Sequence, residues 1–121
     1  MSGSTSRRRG HNAERAVARY LTDSGVNAKT TRATSGFQSG TDIAFEDETG
    51  FAVEVKDWAR TALPEWLKQA RNDANGRVAV VWHKQRGKAD PADWFVTMTG
   101  SDFVRIMRLV KERDIATDLM E

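Results

Sequence analysis

The sequence predicts an α/β domain in which a central mixed β-sheet is flanked by helices, and three observations support this fold class. Apolar residues recur at helical or strand spacing in the order helix, three strands, helix, two strands, helix. The segment 78–82, VAVVW, is apolar throughout, as expected for a central strand covered on both faces. The chain has 121 residues and no internal repeat or shift of composition, so we expect residues 1–121 to form a single domain.

Composition excludes several classes of protein and site. Apolar residues make up 39% and charged residues 30% of the chain, a balance that favours a folded globular protein over a disordered or fibrous one. The absence of cysteine excludes disulfides, thiolate metal sites and cysteine nucleophiles, and it makes the reducing cytoplasm the expected compartment. The longest apolar run, 78–82, is far short of the roughly 20 residues that a membrane helix needs.

Positive charge is concentrated near the N-terminus. Residues 1–40 carry seven basic and two acidic side chains, whereas residues 41–121 carry twelve basic and fifteen acidic ones. We expect residues 1–9 to form a flexible basic arm and residues 112–121 an acidic C-terminal segment. Basic side chains can neutralise nucleic-acid phosphates, but a solubilising arm would have the same composition. The basic residues of the first forty are Arg7, Arg8, Arg9, Arg15, Arg19, Lys29 and Arg32.

The first predicted elements are a helix, a strand and a loop. Apolar residues at helical spacing indicate the helix, and Gly25 is a suitable stop for it. Residues 26–31 alternate in polarity with the period of a half-buried strand. The loop 33–41, ATSGFQSGT, contains small residues and two glycines, so its backbone can approach a ligand closely. The helical stripe consists of Ala13, Ala16, Val17, Tyr20 and Leu21.

The centre of the chain predicts a β-hairpin. Its strands are residues 41–47 and 51–57, and Gly50 supplies the positive φ that such a turn usually requires. Because side chains alternate along a strand, one face is apolar and the other carries Asp42, Glu54 and Lys56. Any register that joins the apolar residues therefore places Asp42 across from Glu54 or Lys56. The apolar face consists of Ile43, Phe45, Phe51, Val53 and Val55.

The remaining elements are predicted to be a helix, two strands and a last helix. Pro64 suits the start of a helix that ends near Gly76, and strands follow at 78–82 and 94–98. Ser101 can cap the last helix, which residues 112–121 either continue or follow as a tail. Most tryptophans should lie in the core, with one or two exposed for a partner or for stacking on a base; they are Trp58, Trp66, Trp82 and Trp94.

Two neighbouring carboxylates beside a lysine indicate a metal-dependent site. Asp42 and Glu54 repel each other, so their proximity requires a cation or a proton. Mg²⁺ prefers oxygen ligands, keeps several waters and is typically held by one or two carboxylates plus substrate phosphate. Lys56 donates hydrogen bonds without binding metal, and it could orient a water or stabilise charge on a phosphate. The alternative is a surface ion pair between Lys56 and either acid, which would contribute little energy.

Glu14 is a third candidate carboxylate. It precedes Val17 by three residues, which places it at the inward edge of the first helix. There it could hold a metal-bound water or a second ion, and the neighbouring Arg15 could contact a phosphate. The alternative is a solvated acid near a helix start, where the helix dipole favours negative charge.

Three segments, RRRGHNAERAVARYL, SGFQSGTDIAF and FAVEVK, resemble the opening helix, first acidic strand and Glu-x-Lys strand of the PD-(D/E)xK nuclease superfamily. Within it, the order of elements resembles the archaeal-type (Hjc-like) Holliday junction resolvases. The resemblance covers residues 7–57 best, and Thr41 stands where the family motif has proline. It implies a restriction-endonuclease-like core and a homodimeric, metal-dependent endonuclease that nicks four-way DNA junctions in pairs.

The resemblance also implies roles for particular residues. The catalytic set would be Glu14, Asp42, Glu54 and Lys56. Mg²⁺, which Mn²⁺ could replace, would bind Asp42, Glu54 and the Val55 carbonyl, and Glu14 could be an additional ligand. The DNA contacts would come from Arg7, Arg8, Arg9, Arg15, Arg32, Ser35 and Ser39. The alternatives are another nuclease of the superfamily, such as a restriction-like or flap-cutting enzyme, a non-catalytic DNA-binding module, or an interaction domain with no nucleic-acid role.

Overall fold

The computed structural model describes residues 3–34 and 41–121. Its helices are α1 (Gly3–Asp23), α2 (Leu63–Asn72), α3 (Gly100–Glu112) and α4 (Ala116–Leu119), and its strands are β1 (Ala28–Thr30), β2 (Ile43–Phe45), β3 (Phe51–Lys56), β4 (Val78–His83) and β5 (Phe95–Thr97). Short 3₁₀ turns lie at Thr31–Ala33 and Pro91–Asp93. The predicted α/β class and order of elements are confirmed, with α4 as an additional short helix.

The described strands form two sheets rather than the single sheet that the sequence predicts. β1 pairs with β2 in antiparallel orientation, while β4 lies between β3, to which it is parallel, and β5, to which it is antiparallel. A mixed sheet is therefore present. The predicted hairpin ladder between residues 41–47 and 51–57 is wrong. The segment that contains β2 pairs with β1 instead, and this pairing continues past the end of β2, where Glu46 N–H donates to the Asn27 carbonyl.

Helices cover β3 and β4 on both faces. On one face, Ala13 and Val17 of α1 pack with Val53 and Val55 of β3. On the other face, Trp66 of α2 packs with Ala52 and Val81 and with further small residues, Ala70, Ala74 and Ala79. The predicted alternation of β3 is thus confirmed, and β4 is the central strand that its apolar sequence indicated. Glu54 pairs in register with Val81, so it lies on the α2 face.

Two helix starts differ from the predictions. α1 begins at Gly3, so Arg7, Arg8 and Arg9 lie on a helix and not in an arm that precedes it. The apolar stripe marked only the part of the helix that packs on the sheet, and arginine is a good helix former where nothing packs. The cap of α3 is Thr99, whose hydroxyl accepts from Asp102 N–H, and Ser101 lies inside the helix. The C-terminal segment does not continue α3, which ends at Glu112; residues 113–121 follow it and contain the short helix α4.

Candidate active site

Asp42 lies at the junction of the two sheets. Its carbonyl accepts a hydrogen bond from Thr31 N–H at 3.0 Å, next to the end of β1, and its own N–H donates to the Val53 carbonyl of β3 at 3.1 Å. Its carboxylate continues the contact with β3, because Oδ2 accepts from Val55 N–H at 2.8 Å. These bonds on either side of Glu54 place Asp42 opposite Glu54, which is one of the two positions, Glu54 or Lys56, that the alternation of the two segments allowed.

Glu54 is a buried carboxyl group with an unmatched oxygen. The residue is 5% exposed, and its Oε1 has no hydrogen-bond partner among the described residues. Burial raises the pKa of Glu54 to about 9, with further contributions from repulsion by Asp42 and from a hydrogen bond to Asp42 that favours the protonated form. Lys56 opposes this rise, and Asp73 adds to it. Burial and the neighbouring Asp42 therefore both favour the protonated form of Glu54 when no cation is bound.

Lys56 is the basic side chain next to this pair of acids. It ends β3, is partly buried, and pairs in register with His83 on the same face as Glu54. Its positive charge favours the ionised form of Glu54, but the ion pairs formed by the described residues do not include Lys56. The alternative of a surface ion pair is therefore wrong for the described part of the chain, and the ammonium group is available to a ligand.

Glu14 is held by an arginine. It is 4% exposed on α1, and Arg32 donates from Nε to Oε1 at 2.9 Å and from Nη2 to Oε2 at 3.3 Å. Hydrogen bonding to Glu14 is the main cause of the raised pKa of Arg32. Desolvation lowers this pKa, and the negative charges of Glu14 and Asp42 raise it further. The predicted inward position of Glu14 is confirmed, and the alternative of a solvated acid is wrong.

The residues predicted to contact DNA occupy different environments. Arg7, Arg8 and Arg15 are exposed on α1, and Arg15 also hydrogen-bonds Asn12. Arg9 is partly buried, whereas Arg32 is committed to Glu14 through both donor groups described above. The remaining two, Ser35 and Ser39, lie outside the described residues.

The donors at Asp42 and Glu54 fit a divalent cation held by two carboxylates. The described ranges, 3–34 and 41–121, contain no group of three or more histidine, cysteine, aspartate or glutamate residues that could hold a metal. A two-carboxylate set is nevertheless sufficient for Mg²⁺, which retains waters and takes phosphate oxygens. The unmatched buried Oε1 of Glu54 is the type of atom that such an ion would satisfy.

Two further predicted ligands differ in how well they suit this set. The N–H and C=O of one strand residue point to the same edge, so the Val55 carbonyl faces the side on which Asp42 lies. It is a suitable additional oxygen. Glu14, by contrast, has both carboxylate oxygens bound by Arg32, so it does not complete the set with Asp42 and Glu54 in this arrangement.

The pairing of Glu14 with Arg32 and the influence of Asp73 on Glu54 were not predicted from the sequence. Arg32 lies 18 residues after Glu14 and reaches it only because β1 packs beside α1. Asp73 follows the last turn of α2, which the sheet brings next to β3. An acid on the inward edge of a helix and an arginine just after the next strand are a weak sequence signal for such a pair.

No family model matches this chain, and no curated protein or solved structure matches it. Within the residues that the structure describes, none of the helices has both the length and the apolar character needed to span a membrane.

Proposed function

We propose that this protein is a metal-dependent, structure-specific DNA endonuclease that resolves Holliday junctions by paired hydrolytic nicks. The observation that carries the proposal is the environment of Glu54. Its buried Oε1 has no partner among the described residues, its carboxyl group faces Asp42, and Lys56, which forms no ion pair with a described residue, lies nearby. Two neighbouring acids, one of them buried, are destabilising where the nearby Lys56 only partly offsets their charge, which favours a role in binding a ligand.

The arrangement of elements supports the same proposal. Asp42 immediately precedes β2, and Glu54 and Lys56 lie on β3, so the motif residues converge from two neighbouring segments. We assign the domain to the restriction-endonuclease-like class on this convergence together with the motif resemblance. The division into two sheets is a departure that this assignment accommodates through the bonds of Asp42 to both sheets.

Each residue has a defined chemical task in this proposal. Mg²⁺, or Mn²⁺ in its place, would be held by Asp42, Glu54 and the Val55 carbonyl, and when bound it would polarise the phosphate and lower the pKa of a water. Glu54 would release its proton to solvent when its carboxylate serves as a ligand. Lys56 donates to the attacking water or to the phosphate oxygens on which charge develops. The positive charge of Arg32 offsets the negative charge of Glu14.

A four-way junction suits a small enzyme with one such site. A domain of 121 residues has little room for a separate module that reads base sequence, so we expect the protein to recognise the shape of the DNA. Symmetric nicks on two strands require two copies of the site, which a homodimer supplies. Exposed Arg7, Arg8 and Arg15 on α1 would contact the DNA backbone.

A non-catalytic DNA-binding module is the second candidate. It is favoured by the structural task of Asp42, whose carboxylate already accepts from Val55 N–H, and by the closed pair of Glu14 with Arg32. In such a module Asp42 would serve to join the sheets and nothing would be cut. The unmatched Glu54 has no explanation in this alternative, so we place it second.

The test compares the wild type with Asp42→Asn on labelled four-way junction, flap and duplex DNA, with and without Mg²⁺. Asparagine keeps an oxygen that can accept from Val55 N–H but removes the charge. We expect wild type to nick the junction in symmetric pairs only with the metal, and Asp42→Asn to be slower by at least about 10³-fold at an unchanged melting temperature.

Each other result identifies a rival. Equal nicking of duplex and junction would exclude a resolvase, and preferential cutting of the flap would identify a flap endonuclease. DNA binding without any cutting by the wild type would identify the non-catalytic module. Absence of salt-dependent DNA binding would exclude a nucleic-acid role altogether.

A further inference from the structure

A groove lies beyond the carboxyl ends of the parallel strands β3 and β4, outside the candidate active site. Its volume is about 510 Å³, and it is open to solvent along one side. The side chains that give it its character come from α1, from the segment after β3 and from the segment after β4; they are Arg9, Asp57, Trp58, Lys84, Gln85 and Arg86. We call it the Trp58 groove.

Trp58 is unlike the other tryptophans of the chain. It is 60% exposed, whereas Trp66 and Trp94 are buried. The indole N–H groups of Trp82 and Trp94 donate to the carbonyls of Pro91 and Lys88. Trp58 forms no hydrogen bond or ring contact with any described residue. An exposed indole without a partner offers a flat surface on which another ring can stack.

The groove carries excess positive charge around this ring. Arg9, Lys84 and Arg86 line it, against the single acid Asp57 among its described residues. The Arg9 Nε is buried without a hydrogen-bond partner in the described part of the chain. Arg86 takes part in none of the ion pairs of the described residues. Guanidinium groups without partners next to an exposed aromatic ring are the combination that binds a phosphate and its base.

The groove is continuous with the candidate active site. Asp57 directly follows Lys56, and Lys84 N–H donates to the Lys56 carbonyl at 2.9 Å. Trp58 is two residues beyond Lys56, so their Cα atoms are at most about 7 Å apart. A strand bound at Lys56 can therefore extend into the groove.

We infer that the Trp58 groove binds an unpaired stretch of the DNA strand next to the phosphate that is cut, with Trp58 stacking on a base and the basic side chains holding phosphates. The inference rests on the proposed function for the identity of the strand as substrate. In a continuous duplex each base is stacked between its neighbours, so its face is not available to an indole. The groove thus favours DNA with unstacked bases, such as that at a branch point.

The experiment measures binding of fluorescein-labelled single-stranded oligothymidine and of a duplex of equal length, in EDTA so that no cutting occurs. The variants are Trp58→Ala, Trp58→Phe and, as the matched control, Phe103→Ala, which truncates a side chain that is 50% exposed on α3 outside the groove. We expect Trp58→Ala to weaken single-strand binding by about 5- to 150-fold and duplex binding by less than about 2-fold. Trp58→Phe should restore most of the affinity, and Phe103→Ala should change neither.

A second variant tests the phosphate contacts. Arg86→Gln should weaken both DNA forms and reduce the salt dependence of single-strand binding by about one unit of slope. Melting temperatures of all variants establish that each is folded, and exposed Trp58 is a position where truncation leaves the core intact.

The outcomes separate this inference from the proposed function. Single-strand affinity that is unchanged in Trp58→Ala overturns the inference, even if the wild type cuts junctions. Single-strand binding that depends on Trp58 supports the groove, even if the wild type cuts nothing and the nuclease proposal fails. A change of oligomeric state in Trp58→Ala, without a change in DNA affinity, identifies Trp58 as a protein contact and also overturns the inference.

Discussion

Two buried carboxyl groups, Asp102 and Glu54, are treated in opposite ways by the same small domain. Asp102 is 2% exposed, and it pairs with Arg105 at 3.0 Å and with Arg71 at 3.6 Å. Glu54 is 5% exposed, faces another acid and has an oxygen without a partner among the described residues. Desolvation opposes the charge of both groups, but the protein compensates it only for Asp102. The difference separates a carboxylate used for stability from one available for chemistry.

The basic side chains of the two regions follow the same division. Arg71 and Arg105 are bound to Asp102, and Arg105 also donates to the Gly76 carbonyl, so these arginines connect α2, α3 and the turn before β4. Lys56 has no such ion pair among the described residues, although two acids lie near it. The contrast between the paired charges around Asp102 and the charges around Glu54, which form no ion pair among the described residues, gives three predictions, in decreasing order of effect.

Replacement of Lys56 by glutamine should have the largest effect, and on activity alone. We expect the rate of junction cutting to fall by about 10²- to 10³-fold, because a positive donor at the developing charge is lost. The melting temperature should change little, since no ion pair within the described residues is broken. Arg105→Gln is the matched control, with a lower melting temperature and normal cutting. A Lys56→Gln enzyme with full activity would remove Lys56 from the chemistry.

Replacement of Asp102 by alanine should reduce stability without affecting the candidate site. We expect the free energy of unfolding to fall by about 3 kcal/mol, because two arginines lose their shared partner and α3 loses an acid in its first turn. Urea titration measures the change, and cutting should be normal at temperatures where the variant is folded. If Asp102→Ala were as stable as wild type, the contrast between the two carboxyl groups would lose its energetic basis.

Replacement of Glu54 by glutamine should stabilise the metal-free protein, with an effect that grows with pH. The pKa of Glu54 is raised from its ordinary value to about 9 in the folded state. The stabilisation that comes from its protonated form is complete below the ordinary glutamate pKa and is lost as the pH rises through 9. In EDTA, the free energy of unfolding of Glu54→Gln should therefore exceed that of wild type by a few kcal/mol at pH 8 and by little at pH 4.5. Thermal melts at both values measure this. A pH-independent difference would show that Glu54 is already ionised.

The elements that packing alone determines were predictable from the sequence. Val78–His83 is central because its continuous apolar run needs cover on both faces, and Val53 and Val55 face α1 because side chains alternate along β3. Gly50 has a φ of 81°, as the predicted turn requires. The same alternation restricted the residue opposite Asp42 to Glu54 or Lys56, so the centre of the candidate site was predictable although the hairpin pairing behind it was wrong.

The features that depend on distant partners were not predictable. Pairing of β2 with β1 depends on how the chain runs beyond Phe45, and the alternating pattern is equally compatible with a hairpin. Thr99 and Ser101 are both good caps, and only the geometry at Asp102 N–H selects Thr99. The exposure of Trp58 depends on where the segment after β3 leaves the sheet, which composition does not specify.

The hydrogen bond from Val55 N–H to the Asp42 carboxylate makes one amide proton a reporter on the candidate site. The Val55 N–H is bonded not to a neighbouring strand but to a side chain 13 residues away in sequence. Its nuclear magnetic resonance frequency and its rate of exchange with deuterium are consequently sensitive to a cation bound at Asp42. Addition of Mg²⁺ while this single backbone resonance is observed can thus report on occupancy of the site, in the absence of DNA and without a turnover assay.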